Sequence, residues 1–386
     1  MKKICFITTL QLTMDTFILP FAKAFSENGY DVTYICNMNE EFEKKNTTYA
    51  KCINLPMRRG FHFFDIFKFT LRLKKIFKKE KFDIIYYATD NASFYSCLAG
   101  KFAKIPIRLY AQWGIHYVAA NGVTRIIMKT LEKITCKNST HIREVSNKNM
   151  QIALDDRLCE AKKIKVLGKG GTIGVNLSIY KIEKKQEYRK EIRSQYGMAD
   201  EDFVFGFVGR ITKDKGCKEL LQSFKLGNFS ENVKMILVGM YDGCEGELLE
   251  LIEWAKTSGK VVFTGLVKGN EVCKYLSAFD IMVHPTYREG FGMVLQEGLA
   301  MGVPIITTDV PGPSEVIEEN KCGWLVPAQN MELLQQKMIE LMNDEETRLR
   351  FAKEGRKRVE IYFERSVMVN NIVEDVNELI GKTQTK

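Results

Sequence analysis

The chain alternates short apolar, β-branched runs with amphipathic stretches, and it does so twice, with a polar, Lys-rich interruption between the two series. Ile4–Leu10, Val32–Cys36, Ile84–Ala88, Ile107–Ala111 and Ile164–Leu167 are the predicted strands of the first series. Phe203–Gly209, Met235–Gly239, Val261–Gly265, Ile281–Pro285 and Pro304–Thr308 are those of the second. Runs without a polar face suit strands covered on both sides, and parallel strands need helical crossovers of the kind found between them. Thr16–Asn28, closed by Gly29, and Ala92–Lys104 are two such helices. Tyr180–Lys190 reads as the linker. The pattern predicts two facing, doubly wound α/β domains with parallel sheets, 1–175 and 176–365. A helical tail, 366–386, follows and is free to cross back to the first domain.

Charge divides along the same line. Through Val175 there are 29 Lys and Arg against 15 Asp and Glu, a balance of +14; the remainder holds 28 basic and 33 acidic residues, a balance of −5. A strongly basic half implies an anionic partner. Ten cysteines are scattered, with no C-x-x-C pair and no grouping with the four histidines, so neither a zinc site nor a disulfide framework is expected. Lys2 and Lys3 precede an apolar stretch, but Gln11, Thr13 and Asp15 interrupt it and no small-residue cleavage site follows, so a strand is expected there and not a signal peptide. No uninterrupted apolar run approaches the ~18 residues of a membrane span. These features point to a cytoplasmic protein.

In doubly wound sheets, ligands bind beyond the carboxyl ends of strands, where loops meet helix N-termini. Two segments of the second series occupy that position. Arg210-Ile211-Thr212-Lys213-Asp214-Lys215-Gly216 follows one strand and leads into a helix from about Cys217. Its Arg and Lys are placed to clamp a diphosphate, although a solvated turn would have the same composition. Tyr287-Arg288-Glu289-Gly290-Phe291-Gly292-Met293 follows another strand, and a helix then carries Glu297 among Val294, Leu295, Leu299 and Ala300. Carboxylates accept pairs of hydroxyl hydrogen bonds, and a glutamate on an apolar helix face is costly unless it is used.

Glu289 and Glu297 separated by seven residues, the Gly-Phe-Gly turn, the Gly302-Val303-Pro304 that follows the helix, and the Gly209-Arg210…Lys215-Gly216 loop together resemble retaining glycosyltransferase family 4 of the GT-B fold. The segment Lys165–Asn176 is similar to the family's stretch ending in Asn-Gly-Val-Asp, so the resemblance spans nearly the whole chain. It implies that Arg210 and Lys215 neutralise the nucleotide diphosphate and that Glu289 holds the donor sugar. Glu297 would bind the ribose hydroxyls, while the Gly290, Phe291, Gly292 and Met293 backbone contacts sugar and phosphate. Gly265 and Leu266 would flank the base. It further implies a retaining, metal-independent reaction with no cofactor, the nucleotide sugar being a substrate. Asp200-Glu201-Asp202 resembles the metal-binding Asp-x-Asp of the other glycosyltransferase fold, but it precedes a strand and reads as a turn.

On the acceptor side, Trp113, Gly114 and His116 follow a strand, where relatives often carry His-Gly. His116 is open to a polar role in the cleft or a structural one, and Asp15 is a further cleft candidate. The Gly-Gly loop of many relatives is missing between Leu10 and Phe17. In Phe61–Lys81, Lys68, Arg72, Lys75 and Lys79 share one helical stripe, opposite Phe63, Ile66, Phe69, Leu73, Ile76 and Phe77. The apolar face is expected on the core and the basic stripe towards anionic lipid headgroups. The expected activity is transfer of a hexosyl or N-acetylhexosaminyl unit from a nucleotide sugar, UDP-linked, to a lipid-linked oligosaccharide. This would serve capsule or lipopolysaccharide assembly on the inner face of the cell membrane, without nucleic acid. A sugar-nucleotide epimerase and a non-catalytic nucleotide-sugar binding protein are the alternatives, and no oligomeric state is implied.

Overall fold

Each series of apolar runs forms one parallel sheet. The computed structural model describes residues 1–60 and 62–384. Phe61, at the head of the basic segment, and Thr385 and Lys386, at the end of the tail, lie outside the described residues. The chain divides into two units, Met1–Ile173 with the segment from Ser366 onward, and Gly174–Arg365.

The first unit has seven strands: β1 Lys2–Leu10, β2 Tyr30–Asn37, β3 Lys51–Asn54, β4 Ile84–Tyr87, β5 Ile107–Gln112, β6 His141–Glu144 and β7 Ile164–Val166. Their order is β3-β2-β1-β4-β5-β6-β7, with Ile4 opposite Ile84 and Phe6 opposite Tyr86. The helices used below are α1 Leu19–Glu27, α2 Phe63–Glu80, α3 Asp90–Phe102 and α4 Gly122–Asn138. On one face of the sheet, Phe6 packs against Phe21, Phe25, Tyr34 and Tyr86. Phe69, Leu73 and Phe77 of α2 belong to the core that includes Ile85, Tyr87 and Tyr110. The expected helix Thr16–Asn28 begins earlier. Helical turns start at Gln11 and pass through a π-helical turn, Met14–Ile18, before α1. Pro20 lies in the first turn of α1; having no N–H, it cannot continue the regular ladder, and a wider turn before it absorbs the break.

The second unit has six strands: β8 Phe203–Val208, β9 Val233–Val238, β10 Val261–Phe263, β11 Ile281–His284, β12 Ile305–Thr308 and β13 Gly323–Val326, in the order β10-β9-β8-β11-β12-β13. Its relevant helices are α5 Lys185–Gln195, α6 Cys217–Leu226 and α7 Met293–Ala300. The stretch read as a linker thus contains the start of α5. Arg193 of α5 is fully buried and donates to the carbonyls of Asp200 (2.9 Å), Asp202 (2.6 Å) and Ala278 and to the Asp280 carboxylate. The acidic triplet is therefore a turn whose backbone receives an arginine.

The C-terminal helix, Arg365–Gln384, packs on the first unit. Asp375 and Arg143 form a bidentate, buried ion pair at 2.7 and 2.9 Å, and Tyr30 donates to Asn377. All ten cysteines are free thiols. Among the described residues, no helix is long and apolar enough to cross a membrane, and no three His, Cys, Asp or Glu side chains are placed to hold a metal ion.

Candidate active site

Strand order reverses between β8 and β11 in the second unit and between β1 and β4 in the first. The carboxyl ends of those strands are where a doubly wound sheet leaves a crevice. In both units the chemistry-bearing residues gather there.

In the second unit, β8 ends at Val208 and the chain turns through Gly209 and Arg210 to Gly216 into α6. Gly216 has φ +70°, and a Cβ there would lie 2.0 Å from the Pro285 carbonyl oxygen, so only glycine lets this loop touch the end of β11. The loops are tied further by Tyr287 N–H to Asp214 O (2.9 Å) and by the Thr286 hydroxyl to Asp214 O (3.3 Å). This holds Lys215 against Glu289 in a mostly buried ion pair, with Lys215 also reaching Arg288 O at 3.4 Å. His284, at the end of β11 and 1% exposed, stacks on Phe207 (5.3 Å, 15°) and sets Nε2 3.4 Å from Glu289 Oε1. Burial pushes the Glu289 pKa up, but the hydrogen bond from His284 and the charge of Lys215 outweigh it and bring it down to about 2. Glu289 is thus a fixed carboxylate at any working pH. Arg210 lies apart from this pair, exposed and bonded to Asp242 at 2.6 Å.

Glu297 occupies the second turn of α7 and behaves oppositely. Burial raises its pKa to about 7, against a hydrogen bond from Tyr180 and the charge of Arg365. Tyr180 is itself buried and its ionisation is pushed upward by burial and by Glu297. Gly290, Phe291, Gly292 and Met293 form the turn into α7, Gly292 taking φ +92°. Phe291 is 3% exposed with its ring edge-on to Phe363, so it can offer a ligand only its backbone. Gly265 accepts from Gly239 N–H at 3.0 Å, and Leu266 beside it is 79% exposed.

In the first unit, a 440 Å³ cavity lies beyond β1, β4 and β5 and is lined by Thr9, Arg59, Thr89, Asp90, Trp113 and His116, among others. Thr89 has φ +69° and ψ 146°, a conformation costing a β-branched residue about 1–3 kcal/mol. Its hydroxyl oxygen accepts from Thr9 N–H at 3.0 Å and lies 2.7 Å from Thr9 Oγ1, which joins the ends of β1 and β4. His116 Nδ1 sits 3.0 and 3.1 Å from the two oxygens of Asp90. Trp113 packs on Phe17 at 5.1 Å. Asp15 is not brought to this cavity; it interacts with Gln11 and Lys45, and partial burial raises its pKa.

The basic helix departs from expectation in one respect. Lys68, Arg72, Lys75 and Lys79 are exposed, and Phe69, Leu73 and Phe77 are buried. Phe63, expected on the core, is 59% exposed, and Phe64, Phe67 and Leu71 are 84%, 59% and 61% exposed. The sheet beneath α2 covers only one narrow stripe, and the first two turns have more aromatic residues than that stripe holds.

His284, Tyr180, Arg365, Thr286, Thr89 and Asp90 were not legible as site residues. His284, Thr286, Thr89 and Asp90 carried one signal, their place at or just beyond the ends of predicted strands; Tyr180 and Arg365 depend on segments distant in sequence.

Residues 3–146 match the family described as Glycosyl transferase 4-like, and residues 188–358 match Glycosyl transferases group 1. The capsular polysaccharide biosynthesis glycosyltransferase CapM of Staphylococcus aureus is 28% identical over 362 residues, covering 93% of each chain. N,N'-diacetylbacillosaminyl-diphospho-undecaprenol alpha-1,3-N-acetylgalactosaminyltransferase of Campylobacter jejuni is 27% identical, covering 91% of this chain and 92% of that one. In structure, the chain is similar to HepE of Anabaena in complex with UDP, with a TM-score of 0.79 and 17% identity over 98% of this chain and 100% of that one. The chain is a glycosyltransferase of the GT-B fold, a 4-like domain joined to a group 1 domain.

Proposed function

We propose that this glycosyltransferase moves a hexosyl or N-acetylhexosaminyl unit from a UDP-sugar to a lipid-linked oligosaccharide, with retention at the anomeric carbon, in surface polysaccharide assembly. The observation that carries the reading is the Lys215–Glu289–His284 cluster at the β8/β11 reversal. The reaction needs negative charge stabilised on the leaving diphosphate while positive charge develops at the sugar carbon. Lys215 is a cation held beside an anion that remains ionised, so an arriving diphosphate meets Lys215 and the sugar hydroxyls meet Glu289. Arg210, exposed on the same loop, adds a second cation for the diphosphate. Glu297 accepts the ribose hydroxyls, and the turn Gly290–Met293 supplies backbone donors at the start of α7. With the leaving phosphate as proton acceptor, no separate base is required.

The lipid-linked acceptor and the UDP donor are supported by the relatives, whose names include a diphospho-undecaprenol acceptor and a complex with UDP. In the first unit, α2 presents four cationic side chains beside Phe63, Phe64, Phe67 and Leu71, a surface suited to the cytoplasmic face of an anionic membrane. The test is incubation with radiolabelled UDP-glucose, UDP-galactose, UDP-GlcNAc and UDP-GalNAc and a lipid extract of the source cells. Label should move into the organic phase with one donor, and the anomeric configuration of the product should match that of the donor. Turnover of the donor without any acceptor, or use of GDP-sugars alone, contradicts the reading.

A further inference from the structure

Beside the polar cavity of the first unit lies a second cavity of 380 Å³, within the ~300–1,000 Å³ range of small-molecule sites, which donor chemistry leaves unused. α2 contributes Ile66, α3 Phe94, and α4 Ile127, Met128 and Leu131. Glu132, half-buried in its wall, is occupied by hydrogen bonds from Gln112 (2.5 Å) and Tyr110. The two cavities adjoin, because Gly60, Asp90, Asn91 and His116 line both. The polar end carries Arg59, together with Asp90 held against His116. At the other end the apolar cavity meets the surface: Ile127 is 46% exposed, Ile126 and Val123 on the same helix 66% and 71%, and Phe67, next to Ile66, 59%. Such apolar exposure around a concavity marks a binding surface.

A trough with a polar end that holds a guanidinium, an apolar body and an apolar mouth is complementary to an amphiphile, not to a nucleotide or a free sugar. We infer that the apolar cavity between α2, α3 and α4 seats the proximal isoprene units of the acceptor lipid, with its diphosphate towards Arg59. This rests on the lipid-linked acceptor proposed above. The polar end lies at the β1/β4 reversal, where the head of the acceptor has to be presented, so a chain entering from the mouth reaches it in one direction only. A bilayer phospholipid in the same trough would block that end, which is why the occupant is assigned as prenyl diphosphate.

The probe is farnesyl diphosphate, titrated calorimetrically into the full chain in detergent, against inorganic pyrophosphate and farnesol as its two halves. Farnesyl diphosphate should bind at least tenfold more tightly than either half. Leu131→Trp, which fills the cavity, and Ile127→Asp, at the half-exposed mouth where folding is not at stake, should each weaken it at least tenfold. Pyrophosphate and UDP binding should stay unchanged. In the transfer reaction, both variants should raise KM for the lipid-linked acceptor and leave KM for the donor alone. Equal affinity for pyrophosphate and farnesyl diphosphate, unchanged binding in both variants, or displacement of farnesyl diphosphate by phosphatidylglycerol vesicles would each overturn the assignment. Those outcomes leave the transferase reading standing, because that reading is decided separately, by whether the wild-type chain forms organic-phase product from a UDP-sugar.

Discussion

Replacing Glu297 with Gln separates what this side chain costs the fold from what it does for the donor. Burial raises its pKa from the ordinary 4.5 to about 7. The native state therefore keeps a proton that the unfolded chain has lost, and this group's contribution to stability falls as pH rises from about 4.5 to about 7. At about 1.4 kcal/mol per pH unit, the whole interval amounts to about 3.5 kcal/mol. Glu297 is only half-buried, so solvent screening reduces this to roughly 1–2 kcal/mol. Glutamine is uncharged, still accepts from Tyr180, and removes the cost above pH 7 while changing little below pH 4.5. Thermal melts at pH 8 should place Glu297→Gln roughly 2–6 °C above wild type, and the two curves should converge at pH 5. UDP binding should weaken by roughly 10–100-fold, since a hydrogen bond to a charged acceptor is worth about 1.5–3 kcal/mol. An equal melting shift at pH 5 and pH 8, a loss of stability at pH 8, or unaltered UDP affinity refutes the reasoning.

Glu289→Ala should lower transfer by about 10²–10³ while UDP binding changes little, and full retained transfer sinks the assignment. Because Glu289 is held near a pKa of about 2, pH–rate profiles should show no inflection between pH 5 and 9 that disappears in this variant. Neutralising Lys68, Arg72, Lys75 and Lys79 to Gln should reduce binding to anionic vesicles by about 1 kcal/mol per charge, measured by sedimentation. Salt at about 0.5 M should reproduce that loss, and Phe64→Ser should remove the salt-resistant remainder; salt-independent binding contradicts an electrostatic share. Asp375→Ala leaves Arg143 buried without its partner, so it should cost about 3–5 kcal/mol of stability. An unchanged melt would show that the C-terminal helix is held by other contacts.

Much of the second unit was readable because its strands are buried on both faces and its loops follow them directly. The apolar runs ending at Gly209 and Pro285 locate β8 and β11, and Arg210, Lys215 and Glu289 come immediately after. β3, β6 and β13 are the strands not among those predicted. β6 reads His-Ile-Arg-Glu, and its arginine is buried only because Asp375, 232 residues away, pairs with it. β3 is a four-residue edge strand with exposed ends, too short for periodicity to register. α5 was hidden by the charges of a surface helix, although Arg193 within it is fully buried.

The sequence by itself determined the two parallel α/β units, the loops that carry Lys215, Glu289 and Glu297, and the basic character of the first half. All of these depend on local order: strand, then loop, then helix, at fixed spacing. Tertiary structure alone decided which of those residues act together. It placed His284 and Lys215 on one glutamate and lowered its pKa, and buried the other under Tyr180 and raised it, so two carboxylates eight positions apart acquired opposite protonation behaviour. It also turned three of the five aromatic residues of α2 outward and opened an apolar cavity behind them. Burial and partner geometry are properties of the packed chain, and no spacing along the sequence encodes them.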